Sequence, residues 1–340
     1  MEPLKIAIVG AGWRAETWMR VIGSLSDRFR LTAIVCRNAD RAEKLRSRGV
    51  PAVRALSDLR TDELDFALVC VSKADNYAVC LELLSRGAAV LCETPAGVGA
   101  EQIAAFAALD KEKLQFAEQY PFQPRFQAMR TACEKGMIGE VHTLQISCCH
   151  GYHAAALMRC FLRTEDEVPS VRAARITDEY MQLYGRNGTI PAVQASCDRV
   201  LALARFERKQ ALYDFSHPQY FSGIRRPRFL LQGTQGEMDL AGGVRICGNT
   251  FAPFSFSARY FGTGGDLYAP ALDAISCGGE VLYKNPFFGL SLSDEEIAMA
   301  HCLCGMREFL QTGKSFYGAR EAASDARIAA LFAGEAGVKL

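Results

Sequence analysis

The feature that most constrains this chain is a glycine-rich turn between its first predicted strand and its first predicted helix. An apolar run at residues 6–9 leads into Gly10-Ala11-Gly12-Trp13-Arg14-Ala15, and helical spacing continues to residue 24. The first glycine permits a tight turn, the second lets the backbone approach a pyrophosphate, and Ala15 lets the helix pack closely on the strand. The position of the pattern between strand and helix predicts a dinucleotide-binding turn at a helix N-terminus.

Apolar strands and helical segments alternate over the first 120 residues. Further strands are predicted at 31–36, 66–71, 89–92 and 114–117, and helices at 39–48, 74–86 and 101–110. Continuous apolar strands separated by helices are typical of a parallel sheet covered on both faces. We therefore predict an NAD(P)-binding Rossmann domain, a doubly wound parallel sheet, over residues 1–120.

The pattern changes after residue 120. A predicted helix at 123–135 precedes β-rich runs, separated by turn residues, at 141–148, around 173–177, and at 200–206, 210–215, 229–232 and 237–240. Two helices are predicted at 294–312 and 319–333. Residues 121–340 are expected to form an α/β domain with an open, mostly antiparallel sheet.

Charge and hydropathy exclude several kinds of partner. The 340 residues carry a formal net charge of +1 and are 49% hydrophobic, so no long-range field would attract nucleic acid or an anionic membrane. No apolar run reaches the roughly 18–20 residues that span a bilayer. The first strand begins within a few residues of the start, without a signal-peptide pattern. We expect a small-molecule substrate, no nucleic acid, no membrane and a cytoplasmic location.

Cysteine and histidine spacing does not predict a metal site. The thirteen cysteines are irregularly spaced within apolar segments, as is typical of reduced thiols that act as small hydrophobes. Two groups, at 148–153 and at 301–304, combine cysteine with histidine but lack paired Cys-x-x-Cys spacing. We therefore expect no metal.

The residues after the second strand bear on the choice between NAD and NADP. Cys36 occupies the position where an acidic residue would bind the ribose hydroxyls, and Arg37 and Arg41 follow it. A guanidinium can bond a 2′-phosphate bidentately. NADP(H) is the preferred interpretation and NAD(H) the alternative, in which Arg37 is a solvated charge or stacks on adenine.

The chain resembles the Gfo/Idh/MocA oxidoreductases over nearly its whole length. Besides the turn at 10–15, the resemblance rests on the segments 65–71, 87–95, 136–141 and 233–236, in that order and spacing. It implies that the second domain binds substrate and mediates oligomerisation into a homodimer or homotetramer. It also implies NAD(P)-dependent redox chemistry on sugars, inositols or related hydroxy compounds.

The sequence departs from this family where the resemblance implies catalytic residues. The family's Glu-Lys-Pro triplet is Glu93-Thr94-Pro95 here, and in its Gly-x-His-x-x-Asp stretch His153 is retained while Ala156 replaces the aspartate. Threonine cannot act as a cationic acid near neutral pH. His153 is therefore the first candidate for proton transfer, with Tyr152 and Lys73 as further candidates. The alternative is that His153 is a core histidine.

The remaining expected contacts are polar residues and strand ends that line the two ligand sites. Asn76 stands where the family often has a histidine. The expected cofactor contacts are Gly10, Gly12, Trp13, Arg14, Ala15, Cys36, Arg37, Arg41, Val71, Ser72, Asn76, Glu93, Thr94 and Pro95. The expected substrate contacts are Asp178, Tyr184 and His217, and His217 is also a second-choice catalytic histidine.

Two classes of function follow from these residues. The first is an NADP(H)-dependent oxidoreductase that acts by hydride transfer on a sugar-like or other small hydroxy or carbonyl substrate without the family's usual lysine. The alternative is a catalytically inactive, cofactor-binding sensor or regulator of the same fold. The joint replacement of lysine and aspartate by Thr94 and Ala156 favours the alternative.

Overall fold

The chain divides into two compact units in the computed structural model, which describes residues 2–110, 112–164, 167–185, 188–263 and 266–334. The first unit comprises the residues up to Gln123 together with Gly289–Ala323. The second comprises Pro124–Phe288 together with the residues from Ser324 onward. The segment 289–323, which the sequence assigns to the second domain, therefore lies with the first.

The first unit alternates strands with helices along the chain. Its elements are β1 (Leu4–Val9), α1 (Trp13–Ser24), β2 (Phe29–Val35), α2 (Ala39–Ser47), β3 (Ala52–Val53), β4 (Phe66–Val69), α3 (Asn76–Ser85), β5 (Val90–Cys92), α4 (Gly99–Ala107) and β6 (Leu114–Phe116). The predicted α1 has the observed bounds, and the other predicted helices and strands differ from the observed ones by one to three residues at their ends.

The sheet of the first unit has the strand order of a doubly wound dinucleotide fold. The order is β3-β2-β1-β4-β5-β6, and every neighbouring pair is parallel. Its central strands β1 and β4 are buried on both faces, which explains their continuous apolar sequences. The predicted Rossmann domain is confirmed. The strand order reverses between β1 and β4, and ligands of such sheets bind outside the carboxyl ends of the strands at that point.

The second unit is built on a ten-stranded mixed sheet. Its elements are α5 (Pro124–Glu134), β7 (Val141–Ser147), α6 (Gly151–Leu162), β8 (Ser170–Gly185), β9 (Gly188–Arg205), β10 (Gln210–Ser216), β11 (Arg228–Gly233), β12 (Gly236–Asp239), β13 (Gly242–Cys247), β14 (Thr250–Thr263), β15 (Asp266–Cys277) and β16 (Glu280–Lys284). The order is β16-β15-β14-β13-β12-β11-β7-β10-β9-β8, and only β7 and β10 pair in parallel. The predicted open, mostly antiparallel sheet is confirmed.

One face of this sheet carries the core of the second unit, and the other face is open. Phe229 of β11 packs against Phe126 of α5 and Phe161 of α6, with ring centroids 4.9 and 5.2 Å apart. On the opposite face, Gln145 of β7 and Leu212 of β10 are exposed. The sheet therefore buries alternate residues only where helices cover it.

The long hairpin of β8 and β9 differs from the prediction. These strands have 16 and 18 residues, whereas the sequence predicted only the runs around 173–177 and at 200–206. Most residues of β8 are exposed. A strand without a consistently buried face has no strict alternation of apolar and polar residues, so its extent is not visible in the sequence. The strands β13 to β16 were not predicted from the sequence.

Two helices follow the large sheet, α7 (Asp294–Thr312) and α8 (Ala319–Phe332), and α7 belongs to the first unit. The start of α7 is a capping box in which the backbone N–H of Ser293 donates to Glu296 at 2.9 Å. The neighbouring Glu295 accepts from Arg14 of α1, and Glu296 from Arg20 of the same helix. These ion pairs explain why α7 lies with the Rossmann sheet. Across the described ranges, no helix is both long and apolar enough to cross a membrane.

Candidate functional site

The turn after β1 has a backbone that only glycine can adopt. Gly10 has a φ of +108°, and a Cβ on it would lie 2.4 Å from the carbonyl oxygen of Cys70. Gly12, by contrast, has no described atom within 4 Å of the corresponding Cβ position, so the space beside it is open. Gly12 is the N-cap of α1, and it has no side chain that could cap the helix. Open space next to the first-turn N–H groups of a helix fits an anionic phosphate group.

Arg14 is bound to carboxylates of its own unit. Its Nε donates to Glu93 Oε1 at 2.7 Å and its Nη1 to Glu295 Oε1 at 2.6 Å. Trp18 Nε1 donates to the same Glu93 oxygen at 2.6 Å. Burial lowers the pKa of Arg14, but the two carboxylates outweigh burial and raise the pKa above its ordinary value. The structure thus brings Arg14 to the triplet residue Glu93, and this ion pair fixes the glycine-rich turn relative to the end of β5.

The end of β2 presents the residues expected to distinguish NADP from NAD. Cys36 is buried, whereas the side chain of Arg37 is 86% exposed and lies 3.9 Å from Asp75. Arg41 donates to Glu16 at 2.7 Å. The region at the carboxyl end of β2 therefore has both guanidinium and carboxylate groups.

Arg54 is a further basic residue at this edge that the sequence reasoning missed. It follows the two-residue strand β3, and its Nη2 donates to the carbonyl oxygen of Arg37 at 2.6 Å. Strand β3 is too short to be predicted from periodicity, and its place beside β2 is set by the sheet order. No local signal links Arg54 to Arg37.

The ends of β4 and β5 are joined through Asn76. Its side chain is 4% exposed, and Nδ2 donates to the carbonyl oxygen of Pro95 at 2.8 Å. Its Oδ1 is buried and accepts no hydrogen bond within the described ranges. Asn76 therefore holds the loops after β4 and β5 together, while the open space beside Gly12 is where the phosphate groups of a dinucleotide fit.

The other residues expected at these strand ends lie in two short loops. Val71, Ser72 and Lys73 follow β4, and Ser72 Oγ donates to Asp75 at 2.8 Å. Lys73 is exposed in this loop, and Thr94 follows Glu93 in the loop after β5. The expected cofactor contacts of the first unit lie in the loops after β1, β2, β4 and β5 or in the first turns of the helices that follow these loops.

In the second unit, the start of α6 gathers several histidines and tyrosines. The rings of Tyr152 and His153 have centroids 4.3 Å apart, and those of His150 and His217 are stacked at 5.6 Å. The backbone N–H of His150 donates to Tyr220 Oη at 2.9 Å. The structure thus brings the predicted His153, Tyr152 and His217 into one aromatic cluster. The sequence reasoning did not identify His150 and Tyr220 as part of it, because β10 brings residues 217–220 to α6 only in the folded sheet.

The three expected substrate contacts are divided between two cavities of the second unit. Tyr184 and His217 line a cavity of about 300 Å³ between the end of β8 and the segment 217–224. Asp178 lines a different cavity and lies 3.2 Å from Arg225. Asp178 is therefore engaged by a guanidinium, whereas Tyr184 and His217 face a common space.

The cysteines of the chain form no disulfide bond. All thirteen cysteines are free. Burial raises the pKa of the Cys70 and Cys92 thiols well above their ordinary value. Within the part of the chain that the structure describes, no group of three or more histidine, cysteine or carboxylate side chains is arranged to hold a metal ion.

Residues 4–119 match the model of the oxidoreductase family with an NAD-binding Rossmann fold, GFO_IDH_MocA. The resemblance inferred from the motifs is confirmed over this domain, which is about a third of the chain. The matching model describes an NAD-binding Rossmann fold, the fold predicted for residues 1–120.

Two similar proteins of known activity cover part of the chain. Inositol 2-dehydrogenase from Rhizobium meliloti (strain 1021) is 27% identical over 154 residues, which are 42% of this chain and 44% of that protein. Trans-1,2-dihydrobenzene-1,2-diol dehydrogenase from Mus musculus is 29% identical over 145 residues, 41% of this chain and 44% of that protein. The alignments thus span less than half of either relative.

Solved structures extend the likeness of fold to both units. An oxidoreductase from Agrobacterium radiobacter, crystallised with NAD+, L-tartaric acid and magnesium, matches with a TM-score of 0.68 at 15% identity. The match covers 97% of this chain and 94% of that chain. The two-domain fold is therefore shared, although the sequences have diverged widely.

Proposed function

We propose that this protein is an NADP(H)-dependent oxidoreductase that transfers hydride to or from a sugar-like or other small hydroxy or carbonyl compound. The observation that carries the proposal is the glycine-rich turn between β1 and α1, where Gly10 has a φ of +108° and the space beside Gly12, at the helix N-terminus, is open. When bound, the cofactor would supply or accept the hydride. The relatives that act on inositol and on a dihydrodiol support a vicinal hydroxyl compound as substrate.

His153 is the residue proposed to move the proton. The triplet of the first unit has Thr94 in place of a lysine, and one turn after His153 the chain has Ala156 in place of an aspartate. Imidazole is the group that exchanges protons near neutral pH, and His153 is 7% exposed among the rings of the α6 cluster. In the oxidation direction His153 would accept the hydroxyl proton as hydride leaves the adjacent carbon.

His153→Ala should lower kcat/KM by about a hundredfold or more, the usual contribution of a positioned acid or base. The change in nicotinamide absorbance with a panel of inositols, sugars and hydroxy acids measures this loss. His142→Ala, the same change on β7 of the same unit, should keep its activity. Equal turnover by wild type and His153→Ala would contradict the assigned role and leave Tyr152, Lys73 or His217 to be tested.

The proposed preference for NADP(H) rests on the edge formed by β2 and β3. Cys36 offers no carboxylate for the ribose hydroxyls, and the guanidinium of Arg37 is exposed. Arg54 donates to the backbone carbonyl of Arg37, and Arg41 follows in the first turn of α2. Glu16 and Asp75 pair with Arg41 and Arg37, and this neutralisation is the observation in favour of NAD(H).

Arg37→Ala should weaken NADPH binding about tenfold, because one charge-assisted hydrogen bond is lost, and should leave NADH binding unchanged. Calorimetric titration of both cofactors measures the difference. Arg48→Ala removes an equally exposed charge just after α2 and serves as the control. Equal affinity of the wild type for NADPH and NADH would refute the preference.

A cofactor-binding sensor without catalysis is the second candidate. The observation that favours it is the absence from the sequence of both usual partners of His153, at Thr94 and Ala156. NADPH binding without turnover on any substrate of the panel would support the sensor. Substrate-dependent turnover that His153→Ala removes would exclude it.

The open sheet face supports the proposed homodimer or homotetramer. Leu201 and Leu203 of β9 and Leu212 of β10 are exposed on neighbouring strands of that face. An apolar patch of this kind is typical of an interface. Analytical ultracentrifugation of the full chain distinguishes a monomer from these assemblies.

A further inference from the structure

The second unit contains a cavity lined by arginines that the proposed hydride transfer does not use. The cavity has a volume of about 780 Å³ and lies beside the segment 216–228. Its charged lining residues are four arginines and one aspartate: Arg199, Arg225, Arg226, Arg228 and Asp178.

Two aspartates hold three of these arginines in place. Arg199 binds Asp214 through Nε and Nη2 at 2.6 and 2.7 Å, and Arg228 reaches the same carboxylate at 3.1 Å. Arg225 donates to Asp178 at 3.2 Å. The hydrogen bonds with Asp214 raise the pKa of Arg199, which keeps it charged. The pairs therefore orient the guanidinium groups toward fixed positions.

The positive charge of the cavity is not balanced. Four guanidinium charges stand against the carboxylates of Asp178 and Asp214, which leaves an excess of two positive charges. Arg226 has no carboxylate partner in the described ranges of the chain. Each guanidinium has five N–H donors, and the ion pairs use only some of them. The cavity thus has unused donors and a charge complementary to a dianion.

We propose that this cavity binds a doubly charged oxyanion on a small molecule, either a phosphate monoester or a dicarboxylate. Guanidinium groups recognise the planar edges of such oxyanions bidentately, and a phosphate monoester carries about two negative charges at neutral pH. Gln219 also lines the cavity, and two hydrogen bonds hold its side chain in place. Its amide oxygen accepts from the backbone N–H of Ser216 at 2.9 Å, and its amide nitrogen donates to the carbonyl oxygen of Ser147 at 3.2 Å.

The cavity adjoins the one that His217 and Tyr184 line, since Gly223 and Ile224 contribute to both. An anionic group on a substrate held beside His217 can therefore be recognised by the arginines. This extension rests on the proposed function, whereas the anion site itself does not depend on redox activity.

Calorimetric titration of the full chain without cofactor, at constant ionic strength, tests the site. Glucose 6-phosphate should bind saturably at one site, and glucose should not bind. A second titration with malonate shows whether the site binds a dicarboxylate or a phosphate monoester more tightly. Arg226→Glu should lower the affinity for the anion about tenfold or more, because it replaces an attractive charge by a repulsive one. Arg226→Lys should weaken binding less than Arg226→Glu does, because the charge remains although the bidentate hydrogen bonds of the guanidinium are lost.

Arg208→Glu makes the same charge change outside the cavity and is the matched control. Arg226 has no ion pair with another described residue, so Arg226→Glu and Arg226→Lys should keep the wild-type melting temperature. Failure of glucose 6-phosphate and malonate to saturate the protein would overturn the proposal. Equal weakening by Arg208→Glu and Arg226→Glu would also overturn it, because general surface charge would then explain the binding. Neither result bears on the redox assay, so the two proposals fail separately.

Discussion

Gly10→Ala should abolish NADPH binding and lower the free energy of unfolding by about 3 kcal/mol. A φ of +108° is unfavourable for alanine, and the added Cβ would lie 2.4 Å from the carbonyl oxygen of Cys70. The obstructing atoms are backbone, which cannot rotate away as a side chain can. Urea denaturation measures the stability, and calorimetric titration with NADPH measures the binding.

Two other glycines separate the effects of strain and of contact with the cofactor. Gly12→Ala should fold with nearly wild-type stability, because its Cβ meets no described atom within 4 Å, but it should bind NADPH weakly because the Cβ fills the phosphate space. Gly23→Ala lies within α1 and should stabilise the protein by about 1 kcal/mol without affecting binding. Wild-type stability and affinity in Gly10→Ala would show that the turn is not the dinucleotide site.

Arg14→Met should destabilise the protein by about 3 kcal/mol at neutral pH. The side chains of Arg14 and Glu93 are 11% and 15% exposed, so the change leaves a mostly buried carboxylate whose charge is no longer paired. Only the indole N–H of Trp18 would still donate to that oxygen in the described contacts. Urea denaturation measures the loss.

A double-mutant cycle tests the origin of this loss. Arg14→Met combined with Glu93→Gln removes both charges and should recover a large part of the stability that Arg14→Met loses. If the double variant is as unstable as Arg14→Met, packing rather than the ion pair accounts for the effect. Such a result would also remove Arg14 as the link between the glycine-rich turn and the triplet.

The elements that the sequence predicted well have a local physical cause. α1 and α7 were predicted with their observed bounds, because each has helical spacing and a clear start. The strands of the Rossmann sheet are buried on both faces, so they are continuous apolar runs. By contrast, the exposed residues of β8 leave no such pattern, and the hairpin was predicted only in part.

Some residues of the candidate site were likewise identified from the sequence, whereas the contacts between them were not. Cys36 was identified from its position after the second strand, where the dinucleotide fingerprint has an acidic residue, and Glu93 from the triplet that the family resemblance implies. The contact of Arg14 with Glu295 joins residues 281 positions apart, and nothing near either residue indicates it. The stacking of His150 on His217 likewise depends on how β10 pairs with β7.

The sequence by itself determined the Rossmann domain, its glycine-rich turn, the resemblance to the family and the departures from its motifs at Thr94 and Ala156, because these depend on residue type and spacing along the chain. Only the tertiary structure decided which charged groups are paired. It showed that Arg14 is held by Glu93 and Glu295, that Asn76 Oδ1 lacks a donor in the described ranges, and that four arginines surround one cavity. The physical reason is that burial and pairing depend on contacts between distant segments, which the order of strands in the sheets creates.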